Sequence, residues 1–83
     1  MNNELFTEVT RTYKTRNNAI KVIENIEAEI KEVIERTGKD AHRMTFHWIV
    51  GVNEEGRFFP IVSHLGDELS YHYFIKKGCC HIG

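Results

Sequence analysis

Between residues 19 and 34 apolar side chains return at spacings of four and three: Ala19, Ile23, Ile26, Ile30 and Val33, with Ile20, Val22 and Ile34 widening the stripe. That period predicts a long amphipathic helix. Thr15 suits its N-cap because the hydroxyl can accept a hydrogen bond from a free amide of the first turn, so the helix is expected to begin near Arg16. Gly38, just after Thr37, is expected to close it in the left-handed conformation. Glu24, Glu27, Lys31, Glu35 and Arg36 fall largely on the opposite side. There Glu27 with Lys31 and Glu32 with Arg36 make favourable pairs four residues apart, each adding only a few tenths of a kcal/mol.

The period then changes from helical to two. Met44, Phe46, Trp48, Val50 and Val52 alternate with Thr45, His47, Ile49 and Gly51, which predicts a strand whose fully apolar face meets the helix stripe. Asn53-Glu54-Glu55-Gly56 reads as a four-residue hairpin loop with Gly56 at positive φ, and residues 57–64 as the returning strand. Pro60 has no amide to donate, so its N side is expected to face solvent or a bulge. Residues 4–13 mix β-branched and aromatic residues and read as an initial strand. Residues 70–76 are aromatic enough for a strand, but Asp67 as N-cap, Glu68 in the first turn, Lys76 and Lys77 in the last and Gly78 beyond favour a short helix. Residues 79–82 would then complete the sheet. The expectation is a single α+β domain over residues 1–83, ordered β-α-β-β-α-β, with one long amphipathic helix packed on a small antiparallel or mixed sheet.

Charge sharpens this outline without settling function. The 83 residues are 41% hydrophobic and 28% charged, an ordinary balance for a small folded chain of modest stability. The net charge of -1 conceals an uneven distribution: four cations lie within residues 11–21, and five glutamates follow within residues 22–37. A dedicated nucleic-acid binder would be strongly basic overall, so any contact with a polyanion must be local. No apolar run approaches the length of a membrane span, and the polar start Met1-Asn2-Asn3-Glu4 is unlike a signal peptide, so a cytoplasmic location is expected. Cys79 and Cys80 are adjacent and have no other cysteine to bridge to; they are expected to be reduced thiols.

Four kinds of chemistry deserve weighing against plainer roles. Arg11, Lys14, Arg16 and Lys21 crowd the helix start, where the dipole already carries positive charge, and could receive an anionic partner there. The plainer role is a solvated strand-helix junction. Tyr13 and the strand aromatics could stack bases beside such a patch, although aromatics at strand spacing are more often core. His42, His47, His64, His72, His81, Cys79 and Cys80 contain no ligand pair at zinc-site spacing, so structural roles are expected and no metal. A Cys–His pair built on Cys79 or Cys80, or the adjacent Glu54 and Glu55, would be needed for catalysis, yet there is no phosphate loop, nucleophile elbow or HExxH. No enzymatic activity and no cofactor are expected. Finally, one long helix covers only one side of a small sheet, leaving a face assigned to Phe58, Pro60, Val62, His47 and Ile49 for a partner. The competing reading covers that face with Leu69, Tyr73 and Phe74.

Thr12-Tyr13-Lys14-Thr15 with Asn18-Ala19-Ile20-Lys21, Gly56-Arg57-Phe58-Phe59-Pro60-Ile61, and Lys77-Gly78-Cys79-Cys80-His81-Ile82-Gly83 together resemble a layout of small uncharacterised proteins from bacteriophages and bacterial mobile elements. The resemblance spans most of the chain and rests on short motifs. It implies a compact accessory protein acting in the host cytoplasm and brings no activity, cofactor or catalytic residue with it. The expected function is therefore binding, and by occupying a surface inhibiting, a host protein, alone or as a homodimer. The alternative is a nucleic-acid binding module that uses the basic helix start.

Overall fold

The computed structural model describes residues 11–82. Helix α1, Arg16–Thr37, runs 22 residues, about 33 Å at 1.5 Å per residue. Thr15 caps it in extended conformation, its Oγ1 accepting from the Asn18 amide at 3.1 Å. Gly38, at φ 72°, ends it by donating its N–H to the Ile34 carbonyl at 2.8 Å, a position where a side chain would be strained. Ala19, Ile23, Ile26 and Ile30 are its buried residues, the stripe that the spacing predicts.

A 3-10 turn, Ala41–Met44, absent from the sequence expectation, follows once the Asp40 carboxylate accepts from the His42 amide at 2.9 Å. Strand β1, Phe46–Val52, then pairs antiparallel with β2, Phe58–His64, in the register Phe46 with His64, Trp48 with Val62, Val50 with Pro60 and Val52 with Phe58. Five residues rather than four separate the strands. Asn53 organises them, its side-chain oxygen accepting from the Glu55 and Arg57 amides at 2.9 Å each, with Gly56 at φ 79°.

Residues 71–76 are helical: α2, Tyr71–Lys76, is capped by Ser70, whose Oγ accepts from the His72 amide at 3.1 Å. The expected cap, Asp67, is instead taken by Arg43, which donates to it from Nε at 2.8 Å and from a terminal nitrogen at 3.1 Å. Strand β3, Cys80–His81, adds to β2 in parallel, giving a mixed three-stranded sheet ordered β1-β2-β3. The initial strand expected over residues 4–13 lies mostly outside the described residues. Of its described end, Tyr13 exchanges two backbone hydrogen bonds with Phe58, at 2.7 and 2.9 Å, on the β2 edge that also receives β3.

Both helices lie on one side of the sheet. The core joins Ile23, Ile26 and Ile30 of α1 to Val62, Phe74 and Cys79, with Val22, Ile34, Met44, Phe46, Trp48, Leu69 and Tyr73 packed around it. The Cα envelope is 17 Å in its thinnest direction, room for a helix layer and a sheet layer and no third. The architecture is thus α+β, as the alternation of patterns indicates.

This packing corrects the assignment of faces. Residues directly opposite in an antiparallel pair share a face, so Phe58, Pro60 and Val62 stand with Val52, Val50 and Trp48 on the inner side. Val62 is fully buried and Pro60 nearly so. Only His47 and Ile49 of the five proposed interface residues are on the outer side. The alternative, a sheet covered there by Leu69, Tyr73 and Phe74, also fails, because those residues belong to the inner core.

Candidate interaction surface

The outer face is built from the odd-numbered positions of the hairpin: His47 opposite Ser63, Ile49 opposite Ile61 and Gly51 opposite Phe59. On a sheet with one solvated side these positions are ordinarily polar. Here three of six are large and apolar, and Ile49 is 61% exposed. Phe59 and Ile61 lean over Gly51, where a Cβ would lie 2.9 Å from the Phe59 ring and 3.0 Å from the Ile61 Cδ1. Any side chain at Gly51 would push Phe59 outward, so the glycine keeps this face low and continuous. Beside it a shallow apolar groove of about 140 Å³ is lined by His47, Ile49, Ile61, Ser63 and Ile82, with Trp48 and Val62 below.

The four predicted anion-binding cations do not converge. Arg16 opens α1, Lys14 lies in the bend before it, and Lys21, five residues on, is roughly 140° round the helix at 100° per residue. One first-turn amide, that of Asn18, is occupied by Thr15. Arg11 sits apart, lining with Tyr13, Asn25, Glu29 and Lys77 an open cavity of about 520 Å³ behind α1. The Tyr13 hydroxyl is buried there without a hydrogen-bond partner among the described residues, and a Cβ on Gly78 would lie 2.5 Å from it. Lys77 is bound to Glu29 at 2.5 Å, and the Tyr73 hydroxyl donates to the other Glu29 oxygen at 2.8 Å. These two bonds, Lys77 foremost, hold the Glu29 carboxyl below its usual range, while burial and then the Glu29 bond push the Tyr73 phenol up.

One constellation escaped the sequence reading. His64 Nδ1 and His81 Nε2 are 2.7 Å apart, and the two adjacent rings both lie against Phe74, with centroid distances of 6.0 and 5.9 Å. One ring must donate and the other accept. Burial, and secondarily the neighbouring His64, lowers the His81 pKa below 6.5. The face assignment carried the signal: His64 shares the inner side with Val62, and His81 pairs with Val62 across β3. Cys79 and Cys80 form no disulfide. Burial, then Cys80, drives the Cys79 thiol up to about 12, so it is a protonated packing residue at neutral pH. Glu54 and Glu55 are exposed in the hairpin loop. Among the described residues no group of three or more His, Cys, Asp or Glu gathers around a point suitable for a metal ion. No helix among them is long and apolar enough to cross a membrane.

No protein-family profile matches the chain, and no curated protein or solved structure shows significant similarity to it.

Proposed function

We propose that the protein is a non-enzymatic accessory protein of the phage or mobile-element kind its sequence resembles, which binds a host protein and inhibits it by occupying a surface. The observation that carries this reading is the apolar outer face of the β1–β2 hairpin, with Ile49 exposed beside Phe59 and Ile61 and uncovered by any described element. Apolar surface left open on a two-layer fold favours association, because water is released when it is covered. The test is affinity capture from host lysate with the wild type and Ile61→Lys, read by mass spectrometry. A specific prey should be lost with Ile61→Lys while circular dichroism stays unchanged; a prey held equally by both would refute this surface.

A second reading has its own support: Arg11, Lys14, Arg16 and Lys21 are all exposed, and none is ion-paired among the described residues. Such cations would bind nucleic-acid phosphates with affinity that falls steeply with salt, since each contact releases counterions. Titration of labelled single- and double-stranded DNA and RNA at low salt decides it. Absence of binding at high micromolar protein would sink the idea.

A further inference from the structure

Strand β1 borders the sheet, and no described element pairs with its outer edge. The ladder fixes which groups are left there. Phe58 exchanges both its backbone hydrogen bonds with Tyr13, and the Val62 carbonyl accepts from Ile82 at 2.8 Å, so the polar groups of the even-numbered β2 residues point away from β1. Their opposite numbers therefore occupy the non-hydrogen-bonded positions of the antiparallel pair. It follows that the N–H and C=O groups of Phe46, Trp48, Val50 and Val52 all aim at the open edge.

Exposed edges are ordinarily guarded by charge, proline, a bulge or short length. This one has none of these. Phe46–Val52 is seven residues long, contains no Lys, Arg, Asp, Glu or Pro, and keeps unbroken register with β2. Its side chains are open as well, with Ile49 61% and Val52 58% exposed.

We infer that this edge is the dimer interface of the protein: β1 pairs antiparallel with β1 of a second copy about a two-fold axis at Ile49. The edge is complementary to itself in that register. Ile49 faces Ile49 of the second copy in a close, non-hydrogen-bonded pair, Trp48 meets Val50, and Phe46 meets Val52. All four edge-facing residues thus find edge-facing partners, and the copies exchange on the order of eight backbone hydrogen bonds. A register centred elsewhere leaves some of these groups unmatched. The flanking charges agree: antiparallel pairing brings Glu54 and Glu55 of one copy toward His42 and Arg43 of the other, whereas parallel pairing would stack the glutamates on their like. Arg43 already binds Asp67 and Glu68, Lys39 binds Glu68, and Asp40 lies beside Arg43, so that end sets two cations against three carboxylates and the preference for the antiparallel sense rests on avoiding the glutamate-on-glutamate pairing.

The product is a continuous six-stranded sheet with both helix pairs on one side. On the other side, Ile49, Phe59 and Ile61 of the two copies merge into a single apolar platform. The dimer stands apart from the host-protein reading, since Ile61 lies on the face and Ile49 at the axis.

Sedimentation velocity on the intact chain tests it. The wild type should sediment as a dimer at micromolar concentration, and Ile49→Lys, which places like charges across the axis, should sediment at half that mass with unchanged circular dichroism. Ile49→Glu should behave likewise, and an equimolar mixture of the two variants should restore the dimer. Val50→Pro removes one edge-facing N–H and no bond within the chain, and should also abolish association. A wild type that stays monomeric at high micromolar concentration, or a dimer that survives Ile49→Lys unchanged, overturns the proposal.

Discussion

The two faces of the β1–β2 hairpin are made by the same strands from nearly the same kinds of residue, and they meet opposite surroundings. Inside, Trp48, Val50, Pro60 and Val62 pack beneath α1 and α2; outside, Ile49 is exposed and Phe59 and Ile61 lean over Gly51 with nothing described above them. Burial therefore follows from where the helices land rather than from the hydrophobicity of the strands. An outer face that selection had left only to solvent would be polar. Its apolar composition is what the proposed partner would cover.

The contrast breaks most visibly from the inside. Phe74 is fully buried and touches Phe46, His64, Tyr73 and His81. Phe74→Ala should cost about 3–5 kcal/mol, a large part of the roughly 5–15 kcal/mol that holds a domain, read as a fall in the urea midpoint. Ile23→Ala, fully buried in the stripe of α1, should cost about 2–5 kcal/mol in the same measurement.

Acid should open the inside next. The His81 pKa is lowered on folding by burial and by His64, so the unfolded chain binds more protons below about 6.5. Stability should be level above that pH and decline below it until the folded ring is itself protonated. Urea titrations at a series of pH values should show this decline, and it should be reduced in His81→Gln. Glu29 works in the same direction at lower pH: its folded pKa is lowered by Lys77 and Tyr73, so its contribution is present above the carboxylate range and lost as pH falls through the folded value.

Smaller effects belong to the periphery. Glu29→Gln removes a half-exposed ion pair and should cost under about 1 kcal/mol, less at high salt. Smallest of all, Ile49→Ser should shift the unfolding free energy of the monomer by no more than about 0.5 kcal/mol, because the residue is already largely in water. A cost above 2 kcal/mol at Ile49 in a monomeric preparation would erase the distinction between the faces.

Much of the fold is legible in the sequence because local chemistry and long-range packing agree there. Ile23, Ile26 and Ile30 announce the buried stripe of α1, and Thr15 and Gly38 its ends, each by a mechanism confined to one or two turns. The faces of β2 are not legible. Both parities of the hairpin carry large apolar residues, so alternation defines two sets without saying which is inside, and one additional loop residue is enough to confuse the register. Asp67 fails as a cap because Arg43, 24 positions earlier, reaches it first. The parallel sense of β3 and the meeting of His64 with His81 likewise depend on chain crossings that no local pattern encodes. For the candidate surface, His47 and Ile49 are read correctly as outward. Phe59 and Ile61 are missed because a four-residue loop shifts the register by one and puts them on the inner side.

Pro60 has one more consequence. Its missing N–H points toward the border opposite β1, at the gap between Tyr13 and β3. Among the described residues that border is consequently split into two short stubs, with no run of donors long enough to seat another strand. In the proposed dimer the described sheet would use up its one long open edge, that of β1, when two copies meet. Association then closes as a discrete pair instead of propagating into a fibre.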